Sequence, residues 1–505
     1  MERLTAQDLS MVWPEDFGWP QDIGALAVLD GSGLIDANGR FPIEVVREHI
    51  ERRLHLLPRF RQLLYVPGRG LGWPLWVDAP SFDIAEHVGV FPLRPPADEW
   101  QLLLACEELR RRRLDRSRPL WHLWFLPGLP GGRIGVFMKL HHAVADGVAG
   151  VAAFGAFLDF APDAPQPIAP PWSPAPIPST RDLFDDNVRR RLQELHGVVS
   201  KLAHPIDVVG QARRAWPAFQ EAFAEGRAPR TSLNRPIGSR RRLAIIRSSL
   251  DLVKEIGLSH GGKVNDVLLA AVAGGLRDLL RSRGENIEGV TLRAFVPVSL
   301  HGDQPGQAQG NLDGGMVVPL PIGEPDHIQR LQLIAAETAE RKKKSRPPGG
   351  TLFRNGLIQR AFLRHAVRQR FMNAYVANVP GPPVLLHLAG APLLEVFPMV
   401  PIMGNMTLGV GALSYAGQLN ITAVADYETC PDVGVFVEGA LSSLDALERS
   451  VLVRSGFSEG GPPAKQAPAA SPNGAAGADS SHTPLWYAEP RQAPTSGEVR
   501  CTATP

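Results

Sequence analysis

The segment 141–147, HHAVADG, joins two histidines to an aspartate and a glycine directly after the apolar run 134–140. Imidazole is the side chain best suited to accept a proton near neutral pH, so either histidine could act as a general base. Such a base lets an alcohol or amine attack an acyl carbonyl directly, whereas a serine hydrolase also needs an enzyme nucleophile. The segment therefore predicts acyl transfer.

The two histidines are not expected to play the same part. Successive residues at a strand end point in opposite directions, so His141 and His142 cannot both face one substrate. One should face a cleft and the other the interior. Asp146 is too close in sequence to orient the base, and we expect it to hold the loop through an ion pair. The alternative is an ordinary polar turn, but Asp146 and Gly147 in register favour the catalytic interpretation.

The segment 257–263, GLSHGGK, imitates two other motifs. Its first five residues fit the G-x-S-x-G pattern of hydrolases. The whole segment fits most of a phosphate-binding loop, but Val264 stands where serine or threonine is required. Both motifs follow a strand, whereas 251–256 has the pattern of a short helix. We therefore expect an ordinary glycine-rich turn, and no His-Glu-x-x-His metal pair occurs in the sequence.

Helical and strand patterns alternate in both halves of the chain, which indicates an α/β or α+β fold. In the first half, 42–57 and 98–114 have helical periodicity, Asp98 is a predicted N-cap, and 122–126 with 133–140 form a predicted hairpin. In the second half, helices are predicted over 264–283, 326–344 and 432–447. Strands are predicted there over 242–250, 290–298, 371–377, 406–413 and 418–425.

Composition divides the chain into four parts. We predict an N-terminal lobe over 1–160, a proline-rich linker with crossover helices over 161–235, and a C-terminal lobe over 236–455. The remaining residues, 456–505, are rich in Gly, Ala, Pro and Ser and are predicted to be disordered.

Charge and cysteine content exclude several classes of protein. The formal net charge is only +2 over 505 residues, which argues against a nucleic-acid partner. Three scattered cysteines indicate neither a disulfide framework nor a zinc site. The N-terminus lacks an apolar signal core, and the weakly charged stretch 384–403 contains three prolines and a glutamate, which exclude a spanning helix. We expect a cytoplasmic protein that is soluble or peripheral to a membrane.

HHxxxDG resembles the hallmark of the chloramphenicol-acetyltransferase-like, coenzyme-A-dependent acyltransferases and of peptide-synthetase condensation domains. Within that group, the chain resembles the bacterial wax ester synthase/diacylglycerol acyltransferase family. Four further blocks carry this resemblance across most of 1–450, namely PLW at 119–121, ND at 265–266, VPVSL with a following GN at 296–300 and 310–311, and NVPGP at 378–382.

The resemblance implies two chloramphenicol-acetyltransferase-like lobes, each a mixed sheet packed with helices, with the active-site tunnel between them. It implies that His142 is the general base and that no covalent acyl-enzyme forms. His141 would support the base, Asp146 would be a brace paired with an arginine, and Gly147 would leave room for the thioester arm. Asn265 is a candidate for polarising the carbonyl or shaping the site.

The remaining blocks are predicted to have binding or structural roles. Asp266 more simply caps or braces its helix, because acidic residues favour helix N-termini. Core packing is the structural interpretation of the Pro-Leu-Trp block, because tryptophan is typically buried. An ordinary turn is the structural interpretation of the Asn-x-Pro-Gly-Pro block, because Pro-Gly is a turn signal. The residues concerned are Pro119, Leu120, Trp121, Asn378, Pro380 and Gly381. The basic run 110–113 indicates a solvated helix face, with contact to an anionic coenzyme or lipid surface as the alternative.

The function implied is an O-acyltransferase that moves a fatty acyl group from acyl-coenzyme A to diacylglycerol or a long-chain alcohol. Acyl-coenzyme A would be a co-substrate, with no permanently bound cofactor and no metal. Two alternatives stay open: the same fold acting on a sugar, polyketide or peptide acceptor, and a non-catalytic lipid-binding or lipid-droplet protein. The sequence does not establish the acyl chain length, the acceptor or the oligomeric state.

Overall fold

The computed structural model describes residues 1–36, 39–94, 97–145, 147–203, 226–299, 313–343 and 363–454. These residues all belong to one compact unit, Met1–Phe457. The described strands form two six-stranded sheets and one three-stranded sheet, with helices packed against them. The fold is therefore the mixed α/β architecture with two sheet-containing lobes that the sequence predicts.

The described strands are, in chain order, β1 Glu2–Arg3, β2 Asp22–Asp30, β3 Gln62–Tyr65, β4 Leu75–Asp78, β5 Val88–Val90, β6 Trp121–Pro127, β7 Arg133–His141, β8 Arg241–Ser249, β9 Leu292–Ser299, β10 Asp313–Leu320, β11 Ala374–Pro380, β12 His387–Leu388, β13 Ala391–Met399, β14 Leu408–Tyr415 and β15 Gln418–Asp426. The described α-helices are α1 Ala6–Val12, α2 Ile43–Glu51, α3 Glu99–Arg111, α4 Gly147–Gly155, α5 Thr180–Ala203, α6 Leu250–Ser259, α7 Val264–Ser282, α8 His327–Lys343 and α9 Val433–Arg454.

The sheet of the first lobe has the strand order β12-β13-β2-β7-β6-β5. Its strand β7 is apolar on both faces, because each face is covered by a separate cluster. On one face Phe137 packs with Cys106 of α3. On the other, Val136 packs with Trp121 and Phe157. A strand buried on both sides cannot slip in register without exposing apolar surface, so the end of β7 is held firmly.

The first sheet includes strands from both halves of the chain. Strand β13, at Ala391–Met399, pairs antiparallel with β2 of the first lobe, and β12 pairs with β13. The range 236–455 predicted as one lobe therefore gives two strands to its neighbour. The second sheet, β10-β9-β11-β14-β15-β8, is built from the rest of that range.

Most predicted elements are confirmed. The hairpin is β6 and β7, which pair antiparallel. Helix α3 begins after Asp98, whose carboxylate accepts a hydrogen bond from the Gln101 N–H at 2.8 Å. Residues 161–179 form no helix or strand, as their proline content predicts. Asp146, the 310–311 block and the tail 456–505 lie outside the described residues.

The helix predicted over 42–57 is wrong in length. Helix α2 ends at Glu51, and two short 3-10 turns follow at Leu54–Leu56 and Pro58–Arg61. The apolar spacing continues past Glu51, but the ring of Pro58 keeps the preceding residue out of the helical region, and Leu57 has φ −126° and ψ 69°.

Helices α7 and α9 pack closely on the outside of the second sheet. Gly275 of α7 lies so near the backbone carbonyl of Phe436 in α9 that a side-chain carbon there would collide with it. We predict that Gly275→Ala lowers the free energy of unfolding by about 1–3 kcal/mol, because the helices would have to separate. Urea denaturation measures the change.

Gly33→Ala is the control, because a Cβ at Gly33 would meet nothing within 4 Å. Equal stability of the two variants would contradict the packing described for α7 and α9.

Candidate active site

A cavity of about 670 Å³ is lined by residues from both lobes. His142 and Gly147 come from the first lobe, and Asn265 comes from the second. Most of the remaining lining is apolar, including Met138, Leu140, Phe154, Val296, Val379, Leu393, Val396, Met399 and Leu413. The structure thus brings together five of the residues singled out in the sequence, namely His142, Gly147, Asn265, Asn378 and Pro380.

The alternation of β7 separates the two histidines. Met138, Leu140 and then His142 line the cavity. His141 is 2% exposed and is not among the lining residues. This is the unequal arrangement that strand geometry predicts, with His142 facing the cleft.

His141 is held on the opposite side by a buried ion-pair network. Its Nδ1 accepts a hydrogen bond from the Ala143 N–H at 3.0 Å, so Nε2 carries the proton. That Nε2 lies 2.8 Å from a carboxylate oxygen of Glu15, which also pairs with Arg116. His141 therefore fixes the turn that presents His142.

Glu15 stays ionised in this network. Burial alone would raise the pKa of its carboxyl group, but the hydrogen bond from His141 and the guanidinium of Arg116 outweigh burial and lower the pKa to about 2. Neither Glu15 nor Arg116 belongs to a recognisable motif. The sequence missed both, because their link to His141 arises only from the fold.

The backbone of the turn is bonded to the start of β2. The His142 N–H donates to the Gln21 carbonyl at 2.8 Å, and the Val144 N–H donates to the His141 carbonyl at 2.8 Å. The Gln21 side chain is buried and donates to the Trp19 carbonyl at 3.0 Å. The main chain at His142 is thus fixed before any substrate arrives.

Glu15, Asp22 and His141 place three metal-ligand side chains within 4.8 Å of one another. Asp22, however, lies 2.9 Å from the Lys139 ammonium group, which is almost fully buried. Glu15 is engaged as described above. Both carboxylates already have cationic partners, so the group works as a charge network that braces the end of β7.

Gly147 begins α4 and faces the second lobe across the cavity. A Cβ at this position would lie 3.6 Å from Val379 Cγ2, an ordinary van der Waals contact. The protein itself would therefore tolerate a side chain here.

Asn265 and Asp266 stand in the first turn of α7 with different surroundings. Asn265 lines the cavity. Asp266 is buried, and its carboxylate accepts hydrogen bonds from the Lys263 N–H at 2.8 Å and from the Thr338 hydroxyl at 2.6 Å. Asp266 thereby braces the start of α7 against α8.

The Pro-Leu-Trp block lies outside the cavity lining and supports β7 from behind. The Leu120 carbonyl accepts a hydrogen bond from the His141 N–H at 3.0 Å. Trp121 is 1% exposed, donates to the Phe60 carbonyl at 2.9 Å and stacks on His87. Pro119 lies two residues before the start of β6.

The Asn-Val-Pro-Gly-Pro block forms the end of β11 and the loop after it. Asn378 and Pro380 line the cavity, whereas Gly381 does not. Gly381 packs directly on the Ser414 carbonyl, where a side-chain carbon would not fit, and its N–H lies 3.3 Å from Ser414 Oγ. This glycine fixes the loop against β14.

The segment 257–263 is a turn between α6 and α7, as predicted. His260 closes α6, and Gly261 takes the left-handed conformation with φ +76°. No strand precedes it, so neither the hydrolase elbow nor the phosphate loop is formed.

Comparison with known proteins decides the family. The model of the wax ester synthase/diacylglycerol acyltransferase catalytic domain matches residues 4–268, and that of the C-terminal domain of the same family matches residues 309–448. The chain belongs to the wax ester synthase/diacylglycerol acyltransferase family. A relative from Mycobacterium tuberculosis (strain ATCC 25618 / H37Rv), "Probable diacyglycerol O-acyltransferase tgs1", is 29% identical over 90% of this chain and 96% of its own length.

Solved structures show the same fold in family members and in condensation domains. The wax ester synthase/diacylglycerol acyltransferase from Marinobacter aquaeolei VT8 has a TM-score of 0.65 at 22% identity, covering 89% of this chain and all of its own. A mutant starter condensation domain of rhizomide synthetase RzmA, in complex with C8-CoA, has a TM-score of 0.57 at 15% identity, covering 89% of this chain and 95% of its own. The predicted family and two-lobed fold are confirmed.

Among the described helices of this family member, none is long and apolar enough to cross a membrane.

We predict that Glu15→Gln lowers the free energy of unfolding by about 1–3 kcal/mol at pH 7, because it weakens a charge-assisted hydrogen bond to buried His141. The pKa of Glu15 is lower in the folded chain than its ordinary 4.5. Its carboxylate therefore stabilises the fold above that value, and the benefit is lost as the pH falls toward about 2. Denaturation of both proteins across this range tests it.

Glu48→Gln is the control, because Glu48 forms an exposed pair with Arg52 and should change stability little. A stability difference between wild type and Glu15→Gln that stays constant from pH 7 to pH 2 would refute the role assigned to Glu15.

Proposed function

We propose that this chain transfers a fatty acyl group from acyl-coenzyme A to a lipid alcohol, with His142 as the general base and without a covalent acyl-enzyme. One observation carries the proposal. His142 lines a mostly apolar cavity in which no serine, threonine, cysteine or carboxylate is found among the described lining residues. Among these described residues a base is present, whereas a hydroxyl of serine or threonine, a thiol or a carboxylate that could form an acyl-enzyme is not.

Direct transfer needs only what this cavity offers. His142 takes the proton of the acceptor hydroxyl as its oxygen attacks the thioester carbonyl, and a new C–O bond forms. The tetrahedral intermediate then collapses, the C–S bond breaks, and the imidazolium returns the proton to the departing thiolate of coenzyme A. The amide groups of Asn265 and Asn378 line the same cavity and are candidates to donate to the developing oxyanion.

The lining favours a lipid acceptor. The cavity volume of about 670 Å³ lies within the range of ligand pockets, and its walls are chiefly aliphatic. Among the described lining residues, the Tyr415 hydroxyl already donates to the Leu393 carbonyl at 2.9 Å. The other polar side chains there are those of His142, Asn265, Lys342, Tyr375 and Asn378. A sugar or peptide acceptor would find few partners for its polar groups and would pay for their desolvation.

The comparisons guide the choice of donor and acceptor. The mycobacterial relative is named for diacylglycerol acylation, and the RzmA domain of the same fold holds C8-CoA. We therefore propose diacylglycerol as the first acceptor to test and a long-chain alcohol, giving a wax ester, as the second. We also propose a cytoplasmic enzyme that takes its acceptor from a membrane or lipid-droplet surface.

His142→Ala should abolish acyl transfer while the protein stays folded, because the side chain lines the cavity and the substitution keeps the backbone N–H that donates to Gln21. Loss of a general base typically costs about 10²–10⁴-fold in rate. Release of free coenzyme A measures activity, and urea denaturation measures folding. His141→Asn is the matched control, which should lose stability together with activity.

If the His142→Ala variant transferred acyl groups at the wild-type rate, His142 would not be the general base.

A matrix of donors and acceptors defines the reaction. We expect purified protein to release coenzyme A with long-chain acyl-coenzyme A and diacylglycerol, and to form triacylglycerol detected by mass spectrometry. Turnover restricted to sugars, amines or peptides would move the assignment to a non-lipid acceptor. Lipid binding without turnover for any acceptor would leave a non-catalytic protein and overturn the proposal.

A further inference from the structure

A second cavity, of about 180 Å³, adjoins the first. The two cavities share five lining residues, which form a common wall between them. These residues are Ile23, Gly24, Met399, Val400 and Pro401. The second cavity lies on the side of β7 that carries Phe137 and Lys139, whereas Met138 and Leu140 face the first. It is therefore a separate chamber beside the cleft that contains His142.

The chemistry of this chamber is the opposite of that of the acyl cavity. Five of its lining residues are basic and one, Asp22, is acidic. The basic residues are Arg110, Arg111, Arg113, Lys139 and Arg241. Such a concentration of positive charge in a concave site attracts a polyanion of small size.

Three of the five basic residues are committed to holding the walls together. Lys139 pairs with Asp22 and donates to the carbonyls of Arg110 and Arg112 at the end of α3. Arg110 pairs with Glu107 at 2.6 Å and donates to the Ser239 carbonyl at 2.7 Å. These contacts fasten α3 to β7 and to the segment before β8.

Arg241 is the third basic residue that is tied to the chamber wall. It lies 3.1 Å from a carboxylate oxygen of Asp426. Burial, reinforced by the charge of Arg110, nevertheless lowers the pKa of Arg241 to about 10 despite the opposing effect of the acidic neighbours. Arg241 is thus held by its neighbours, and its guanidinium group stays charged at neutral pH.

Arg111 and Arg113 are the two remaining basic groups, and both are exposed at the rim. Within the described ranges neither forms an ion pair or a side-chain hydrogen bond. Their neighbour Arg112 does not line the cavity; it pairs with Glu108 at 2.8 Å and lies over the Phe91 ring. The chain thus leaves two guanidinium groups free at the rim of the chamber.

We propose that this basic chamber binds the phosphate groups of the acyl-coenzyme A donor, with Arg111 and Arg113 as the residues that contact them. The inference rests on the proposed function, since it names how that site holds its donor. Guanidinium groups match phosphate geometry with paired hydrogen bonds. In this arrangement the neutral arm of the coenzyme would run past the shared lining residues toward His142, while the acyl chain occupies the apolar cavity.

A flat anionic membrane fits this site less well. The basic groups line a concave chamber that shares a wall with the active-site cavity, and Lys139 at its floor is 1% exposed and out of reach of a lipid surface. A coenzyme molecule can enter such a chamber, whereas a bilayer can meet only the rim.

The test compares two donors on the double variant Arg111→Gln/Arg113→Gln. One donor is palmitoyl-coenzyme A, and the other is the palmitoyl thioester of N-acetylcysteamine, which carries no phosphate. We expect the KM for palmitoyl-coenzyme A to rise about tenfold and the preference for the phosphorylated donor, measured as the ratio of kcat/KM values, to fall by a similar factor. Arg112→Gln, next to both positions, should retain the wild-type preference.

Binding measured without turnover separates this proposal from the proposed function. Isothermal titration of coenzyme A should give a Kd about tenfold weaker for the double variant than for wild type and Arg112→Gln. If the wild-type protein binds coenzyme A but transfers no acyl group, the acyltransferase assignment is wrong, while phosphate binding by the chamber is still supported. An unchanged Kd in the double variant would overturn the proposal that Arg111 and Arg113 contact the phosphates.

Sedimentation with phosphatidylglycerol vesicles completes the test. Weaker vesicle binding by the double variant, with coenzyme A affinity unchanged, would show that the two arginines serve a membrane surface and would also overturn the proposal.

Discussion

The structure depends on one constraint, the opposite orientation of adjacent side chains at the end of β7. Because His141 and His142 are neighbours on a strand, placing one in the cleft forces the other inward. A buried imidazole needs polar partners, and Glu15 with the Ala143 N–H supplies them. The hydrogen bond between His141 and Glu15, the turn, and the hydrogen bond from the His142 N–H to Gln21 therefore form one unit that positions the base.

The cavity exists because neither lobe is complete alone. Strand β13 comes from the second half of the chain and pairs with β2 in the first sheet. Its far end supplies part of the wall shared by the apolar cavity and the basic chamber. Two environments of opposite polarity thus meet beside His142, which suits a donor that is apolar at one end and anionic at the other.

Sequence patterns predicted the elements with strong local signals, such as the β6–β7 hairpin and helix α7, and they singled out five of the residues that line the cavity, His142 and Asn265 among them. They missed β2, because a short apolar run buried on both faces has no alternation that separates strand from helix. They missed Glu15 because an exposed-looking carboxylate in a short helical turn acquires its role only when the fold brings it to His141. Long-range pairings of this kind leave no local pattern.

The central claim is that the donor's thioester meets His142 and not His141. A crystal structure with a thioether analogue of palmitoyl-coenzyme A tests it most directly. We expect the analogue's sulfur beside the His142 ring, its alkyl chain in the apolar cavity, and His141 still bonded to Glu15. An analogue bound with its sulfur remote from His142, or with His141 released from Glu15 to face it, would contradict the account.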